Sequence, residues 1–544
     1  MGKRITIDPI TRIEGHLRID VEVENGKVKN AWSSGQMFRG IENMLTGRDP
    51  RDAQHFVQRS CGVCTYIHAL SSVRAVEDAL NLTIPENARL IRNLLHGAQY
   101  QQDHIVHFYH LHALDWVDIV SALSADPKAT AKLSANASGR PESADYFKKV
   151  KGILQNFVNS GQLGPFSNGY WGHPAMKLPP EANLMAAAHY LEALQLQAKA
   201  ATMHAILGGK NPHPQSLVVG GVTLSSDLTV KNLKKFESIW KETKKFIDEI
   251  YIPDLLAVAS FYKDWGAIGG NKNFLAYGEF PLNDSESKLF LPSGYLKGDL
   301  RYRKFDDKKV TEDVSHGWYE KGSAKHPYKG ETKPLAEDIK HSDSHYSWSK
   351  APRYNGAPME VGPLARVLVA YAKGDPAVKK LVGATLKKLN VGAGALFSTL
   401  GRTAARGLET VLIGNEMGGW LNQLKSNISK GKTKTYQEWS FPKGEIKGRG
   451  LNDVPRGGLG HWVVIKGGKI KNYQYVVPTT WNMSPRDAKG QMGPYENALI
   501  GTPIADAKRP LEVLRTIHSF DPCIACAVHV IDPHTNETYK VKVL

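Results

Sequence analysis

The chain of 544 residues holds four cysteines, and they form two pairs of identical spacing at opposite ends of the sequence. Cys61-Gly62-Val63-Cys64 lies near the start and Cys523-Ile524-Ala525-Cys526 near the finish, with His68 and His529 close behind. Thiolates select soft or borderline metals such as nickel, copper(I), zinc and iron. Structural zinc sites use the same pairs, but they bring them together over short loops, and here more than 450 residues intervene. A chain of this length needs no metal staple to fold. A thioredoxin-like redox pair would sit in a βαβ unit and would not need a duplicate. A disulfide across Cys-x-x-Cys would close a very small loop. Spacing alone leaves zinc, a redox or disulfide pair, and a catalytic soft-metal site open. The economy of cysteine suggests one four-thiolate site that closes only when the two chain ends meet.

The flanking residues separate these readings. The first pair is set in Gln58-Arg59-Ser60-Cys61-Gly62-Val63-Cys64-Thr65-Tyr66-Ile67-His68. The second is set in His518-Ser519-Phe520-Asp521-Pro522-Cys523-Ile524-Ala525-Cys526-Ala527-Val528-His529. These segments resemble the two signatures of the large, catalytic subunit of nickel–iron hydrogenases, most of all the membrane-associated respiratory type. The resemblance continues through Thr11-Arg12-Ile13-Glu14-Gly15-His16, Phe38-Arg39-Gly40-Ile41-Glu42, Gly208-Gly209-Lys210-Asn211-Pro212-His213 and Pro455-Arg456-Gly457-Gly458. It therefore spans almost the whole chain.

Heterolytic splitting of dihydrogen needs a Lewis acid and a nearby base. The resemblance implies that Cys61 and Cys523 bind nickel terminally, while Cys64 and Cys526 bridge it to an iron carrying carbon monoxide and cyanide. His68, four residues after Cys64, would share a helical face with it and could donate a hydrogen bond to a thiolate. A simply packed histidine is the plainer alternative. Arg456 resembles the arginine suspended over the metals, with Asp521 and Asp103 fixing it. Pro455, Pro478 and Thr479 resemble the pocket lining near the diatomic ligands. Arginine stays protonated almost everywhere, so a base role demands a special environment, and a structural Arg–Asp salt bridge is the alternative. Glu14 is expected to begin the proton path away from a bridging cysteine, unless it merely caps a helix or pairs with a cation. Glu42, a hard oxygen donor, suits magnesium rather than nickel. The resemblance implies Mg2+ held by Glu42, His529 and the backbone carbonyl of Tyr475.

An iron–sulfur cluster takes about four thiolates, and this chain has none beyond its two pairs. Electrons are therefore expected to leave through a partner. The resemblance implies an iron–sulfur small subunit in a heterodimer, with a dimer of heterodimers left open. In the family that subunit brings the export signal and the membrane contact. The stretch from Met1 to Pro9 has no apolar core of a secretory leader. The pair is accordingly expected to be exported together to the periplasmic side of the cytoplasmic membrane. The resemblance further implies a maturation protease that cuts after His529 and removes residues 530–544. Two alternatives stand beside this reading. A hydrogen-sensing regulatory hydrogenase subunit would keep the ligands but normally lacks such a tail, and a zinc-stabilised structural protein would bind zinc and no nickel.

The elements that must carry these residues to one point are partly legible. Residues 1–50 read as a β region carrying Glu14 and Glu42: Leu17, Ile19, Val21 and Val23 alternate up to Asn25-Gly26, a hairpin signal. Residues 51–264, with the first pair, are expected to be helical, with periodic runs over Ala88–Leu123 and Ala182–Leu207. Residues 265–355 read as an irregular surface excursion with short strands. Helix returns over 356–430. Residues 431–529 begin with strands around Gly467-Gly468 and end with the second pair, and 530–544 is the removable extension. The expected class is α+β and helix-rich, a central long-helix bundle with small β regions near both termini. No apolar run of about eighteen residues exists to span a bilayer. The formal charge is +17. The lysines between Lys231 and Lys245 oppose Leu233, Phe236, Trp240 and Ile247, which marks a solvated helix face. No basic and aromatic residues interleave as in a nucleic-acid-binding module.

Overall fold

In the computed structural model, which describes residues 3–167, 169–335 and 339–524, the alternation at the start becomes an antiparallel sheet. Its strands are β1 (Lys3–Ile7), β2 (Leu17–Glu24) and β3 (Lys27–Gly35). Leu17, Ile19 and Val21 are buried on one face. Asn25 and Gly26 both take positive φ, 52° and 71°, the conformation that a two-residue turn between right-twisted strands requires. Cys526, His529 and the segment 530–544 lie outside the described residues.

Helix and strand make up 47% and 17% of the structure, so the architecture is mixed. The first cysteine pair leads into α1 (Ile67–Leu80). The long α2 (Glu86–Val106) packs against α3 (Pro180–Gly208) and, later in sequence, the long α5 (Thr399–Ser429), which α4 (Pro363–Lys373) precedes. Leu90, Leu94 and Ala98 of α2 share one core with Met203 and Leu207 of α3 and with Met417 and Leu421 of α5. The periodic run expected to Leu123 is interrupted. After Val106 the chain makes a π-helical turn (His107–His112) and a 3-10 turn (Ala113–Asp115). A new short helix then starts at Ile119, because the Asp118 side chain caps the N–H groups of Val120 and Ser121. Among the described residues no helix is long and apolar enough to cross a membrane. The lysines of the helix Val230–Phe246 face outward from buried Leu233, Phe236 and Phe246.

A second antiparallel sheet carries the machinery near the C-terminus: β4 (Glu445–Val454), β5 (Gly457–Lys466) and β6 (Lys469–Val476) in that order. Gly467 and Gly468, with φ of 59° and 70°, turn β5 into β6. Pro455 and Arg456 alone join β4 to β5. Strand β4 shows no apolar alternation because glycines face α1: a Cβ on Gly448 would overlap the Ala75 carbonyl, and one on Gly450 the Ser71 carbonyl. Backbone thus lies flush on the helix that follows the first cysteine pair. Finally α6 (Leu511–His518) delivers Asp521 and Cys523. Between the two helical stretches, the short strands of 265–355 pair two by two, and this segment also sends Thr332 and Lys350 into the interior.

The flush contact is testable. Gly450→Ala must push β4 off α1 and is expected to cost about 1–3 kcal/mol by overpacking, read as a lower thermal unfolding midpoint. An unchanged midpoint would contradict the packing described.

Candidate metal centre

The sulfurs of Cys61, Cys64 and Cys523 all lie within 4.8 Å of one another. Cys61 Sγ is 3.2 Å from Cys523 Sγ, and Cys64 Sγ is 3.9 Å from it. A disulfide needs about 2 Å, so these are converging thiols rather than a covalent pair. All three are buried. Buried thiolates gathered this closely repel unless a cation sits among them, and sulfur donors select a soft one. The donor set therefore fits nickel. Each thiol is placed by specific contacts. Arg39 donates to the carbonyls of Arg59 and Ser60 at 3.0 and 2.5 Å, which fixes the 3-10 turn Gln58–Ser60 ahead of Cys61. The Cys64 N–H donates to Cys61 Sγ at 3.2 Å. At the other end of the chain, the Cys523 N–H donates to Thr479 Oγ1 at 3.2 Å.

Glu14 forms a parallel bridge with Cys523. The Ile524 N–H donates to the Glu14 carbonyl at 2.8 Å, and the Cys523 thiol donates to Glu14 Oε2 at 3.3 Å. Cys526, the bridging cysteine of the second pair that the resemblance implies, lies outside the described residues; within them the bridge sets Glu14 beside Cys523, the cysteine expected to bind terminally. Asp115, fully buried, secures this junction. It accepts from Arg12 Nη2 at 2.5 Å and faces His518 Nδ1 at 2.7 Å, while His518 Nε2 donates to the Thr11 carbonyl at 2.8 Å. Burial works against the Asp115 charge, but Arg12 and His518 outweigh it and hold the carboxyl well below its ordinary range.

Arg456 is brought to the thiols by the β4–β5 turn. Its Nη1 donates to Asp103 at 2.9 Å and its Nη2 lies 3.1 Å from Asp521. Burial disfavours the guanidinium charge, yet Asp521, Asp103 and the sulfurs of Cys523 and Cys64 more than offset it, so the group stays protonated. Burial pushes the Asp103 carboxyl up to about 7 despite Arg456, and raises Asp521 likewise. Pro455 occupies the turn itself, and Pro478 and Thr479 open the short helix Pro478–Asn482. His68 differs from expectation. Helix α1 begins only at Ile67, so Cys64 precedes it and the shared face does not form. His68 Nδ1 instead lies 3.1 Å from His461 Nε2, and burial lowers its pKa to about 4.

The surroundings of Glu42 are rich in oxygen. Glu42 accepts from the Tyr475 N–H at 3.0 Å, from Lys350 Nζ at 3.2 Å, and from Thr332 Oγ1. Lys350 also donates to Gln474 Oε1 at 2.8 Å and lies 3.6 Å from Glu312. Tyr475 sits on the outer edge of its sheet, and a strand residue's N–H and carbonyl point to the same side. Two carboxylates, an amide oxygen and a carbonyl suit a hard cation. Thr332, Lys350, Glu312 and Gln474 escaped the sequence reading, since no spacing links them to Glu42. For Glu312, Thr332 and Lys350 the one signal was their residue type in an otherwise irregular segment, and Gln474 lies on β6.

Comparison with known proteins agrees with this geometry. The nickel-dependent hydrogenase family matches residues 39–529, and a HoxL-like family matches residues 4–33. The chain is 50% identical to the uptake hydrogenase large subunit of Rhizobium leguminosarum bv. viciae, over 100% of this chain and 98% of that one. It is 47% identical to the hydrogenase-2 large chain of Escherichia coli (strain K12), with all of both chains covered. The as-isolated oxidised Ni-Fe-Se hydrogenase from Desulfovibrio vulgaris Hildenborough superposes with a TM-score of 0.81 at 36% identity, over 97% of this chain and 100% of that one. The reduced, active Ni-Fe-Se enzyme from Desulfomicrobium baculatum gives 0.78 at 37%, with the same coverage.

The Asp115 junction yields a pH-dependent expectation. Asp115→Asn strips Arg12 and His518 of their charged acceptor and is expected to cost about 3–5 kcal/mol at neutral pH. Because the folded-state pKa is depressed, the Asp115 contribution is present above the ordinary value of 3.8 and is lost as the pH falls below it. The stability gap between parent and variant, measured by denaturant unfolding, should close in acid. A gap that stays constant down to about pH 3 would contradict the assignment.

Proposed function

This chain belongs to the nickel-dependent hydrogenase family, and we propose a division of labour among its residues on that premise. It is the catalytic large subunit of a nickel–iron hydrogenase, which cleaves dihydrogen reversibly into protons and electrons. The observation that carries the proposal is the convergence of Cys61, Cys64 and Cys523 beside Glu14 and Arg456. Cys61 and Cys523 would hold nickel terminally, and Cys64 and Cys526 would bridge it to an iron that bears carbon monoxide and cyanide. When bound, the nickel–iron centre supplies the Lewis acidity and the redox change that the reaction needs.

The protein's residues do the rest. Glu14 Oε2, 3.3 Å from Cys523 Sγ, is within reach to take a proton from that sulfur and pass it outward. Arg456, bracketed by two carboxylates, serves as a fixed positive charge and hydrogen-bond donor rather than as a base. Pro455, Pro478 and Thr479 line the pocket, and His68 braces α1 through His461. Glu42, the Tyr475 carbonyl and His529 would hold Mg2+, with Lys350 and Glu312 balancing charge around it. The three long helices α2, α3 and α5 form the central bundle against which these parts are set.

A large subunit works with a small one. The cysteines here are committed to nickel and iron, so the small subunit would carry the iron–sulfur clusters that accept the electrons. We place the heterodimer, or a dimer of heterodimers, on the periplasmic face of the cytoplasmic membrane, exported as a unit and tethered through the partner. The second cysteine pair would close over the metals last, after a maturation protease cuts behind His529 and frees that histidine for Mg2+.

Two measurements test this reading. Glu14→Gln keeps the shape and hydrogen bonding of the side chain but cannot shuttle a proton. In the assembled enzyme it should abolish hydrogen oxidation and exchange with heavy water while the carbon monoxide and cyanide infrared bands survive; exchange at the parent rate would make Glu14 structural. The intact mass of active, nickel-loaded protein should correspond to a chain ending at His529, and one still ending at Leu544 would overturn the maturation step.

A further inference from the structure

Arg456 stands on a two-residue turn, so its guanidinium is placed no better than the backbone just before it. That backbone is held by a second arginine. Arg366, on α4, is 1% exposed and commits every N–H it has. Its Nε and Nη2 donate to the two oxygens of Glu409, each at 2.6 Å. Its Nη1 donates to Asp453 Oδ1 at 3.0 Å and to the Val454 carbonyl at 2.8 Å, and its Nη2 also reaches the Pro455 carbonyl at 2.9 Å. A guanidinium has five N–H donors in a fixed fork, and five acceptors meet them. Three of these belong to the segment leading directly into Arg456.

The acceptors are themselves held. His104 Nε2 lies 2.8 Å from Glu409. The Gly278 N–H donates to the other Asp453 oxygen at 2.9 Å, and Tyr100 Oη donates to the Asp453 carbonyl at 2.9 Å. Tyr100 and His104 flank Asp103 on α2, and Asp103 takes the Arg456 guanidinium directly. One helix therefore grips Arg456 at both ends. Its side chain is held by Asp103, and the backbone leading into it by Tyr100 on the Asp453 carbonyl and by His104 through Glu409 and Arg366. A buried ion pair is a weak source of stability, because desolvation offsets its Coulomb gain. A forked guanidinium spent on two backbone carbonyls supplies geometry instead.

We propose that Arg366 is a positioning residue of the hydrogenase reaction, acting through Arg456 by fixing the turn at Val454 and Pro455. The inference rests on the placement of Arg456 in the catalytic machinery argued above. A displacement of about 1 Å at such a site can cost on the order of 100-fold in rate. Lysine keeps the charge of Arg366 but cannot reproduce the fork.

The test is a double-mutant cycle on the assembled, nickel-loaded heterodimer, with Arg366→Lys and Arg456→Lys made singly and together and turnover expressed per bound nickel. Arg366→Lys should lower turnover about 10- to 100-fold in the parent but less than about 2-fold when Arg456 is already lysine, because both changes then act on one group. The same loss in both backgrounds would make Arg366 merely structural and overturn the inference. The single Arg456→Lys variant separates the two readings: parent turnover there would sink the role of Arg456 itself, and this inference with it. If Arg366→Lys fails to load nickel, the same cycle is run with Tyr100→Phe, which deletes only the hydroxyl on the Asp453 carbonyl. A loss of about 3-fold or more, typical of one hydrogen bond, must then appear in the parent and vanish in the Arg456→Lys background; equal losses, or none, overturn the proposal.

Discussion

The bridge that sets Glu14 beside Cys523 closes a loop of more than 500 residues, and the metal centre cannot exist without it. Closing a chain of that length costs about 5–6 kcal/mol in entropy. The two hydrogen bonds that Cys523 and Ile524 make to Glu14 contribute about 0.5–1.5 kcal/mol each and do not meet that cost on their own. Apolar packing can. Leu17, Ile19 and Val21 of the first sheet share a core with Val513, Leu514 and Ile517 of α6 and with Phe520 just after it, and each such side chain contributes about 1.5–3 kcal/mol when fully buried. The two chain ends are thus joined by hydrophobic burial, which sets Cys523 beside Cys61 and Cys64.

Around the thiols, charge is arranged rather than minimised. Arg456 between Asp103 and Asp521, Arg12 and His518 on Asp115, and Lys350 between Glu42 and Glu312 are all removed from solvent. Such groups add little net stability, and removing one partner is costly because it strands the other. They fix positions instead. Two environments of opposite hardness lie on either side of one strand end. Tyr475 donates its N–H to Glu42, while Thr479, four residues on, accepts the N–H of Cys523. A shift in this short stretch would disturb the sulfur site and the oxygen site together.

The parts visible in the sequence are those whose logic is local. The Cys-x-x-Cys pairs, the Asn25-Gly26 and Gly467-Gly468 turns, and the lysine-faced helix could each be read within a dozen residues, and the structure forms the turns and that helix face. What escaped is what depends on distant partners. Strand β4 carries Gly448 and Gly450 where a strand normally shows apolar side chains, because its neighbour is the backbone of α1. Lys350 and Glu312 gain meaning only against Glu42, and Arg366 only against a turn nearly ninety residues later. The reading of His68 went astray because the helix starts only after Cys64, and the contact of Glu14 with Cys523 likewise depends on a bridge between residues 14 and 523. Short-range spacing does not encode where an element begins or which long-range neighbour it meets.

In the proposed centre, thiols from the two ends of the chain hold one nickel. Nickel X-ray absorption on the purified heterodimer, with metal content measured on the parent and on Cys61→Ser and Cys523→Ser variants, tests it most directly. A single nickel per large subunit in a sulfur-dominated shell, lost when either end of the chain is altered, is the expected result. Zinc in place of nickel, or nickel retained with an unchanged shell in both variants, would contradict the claim.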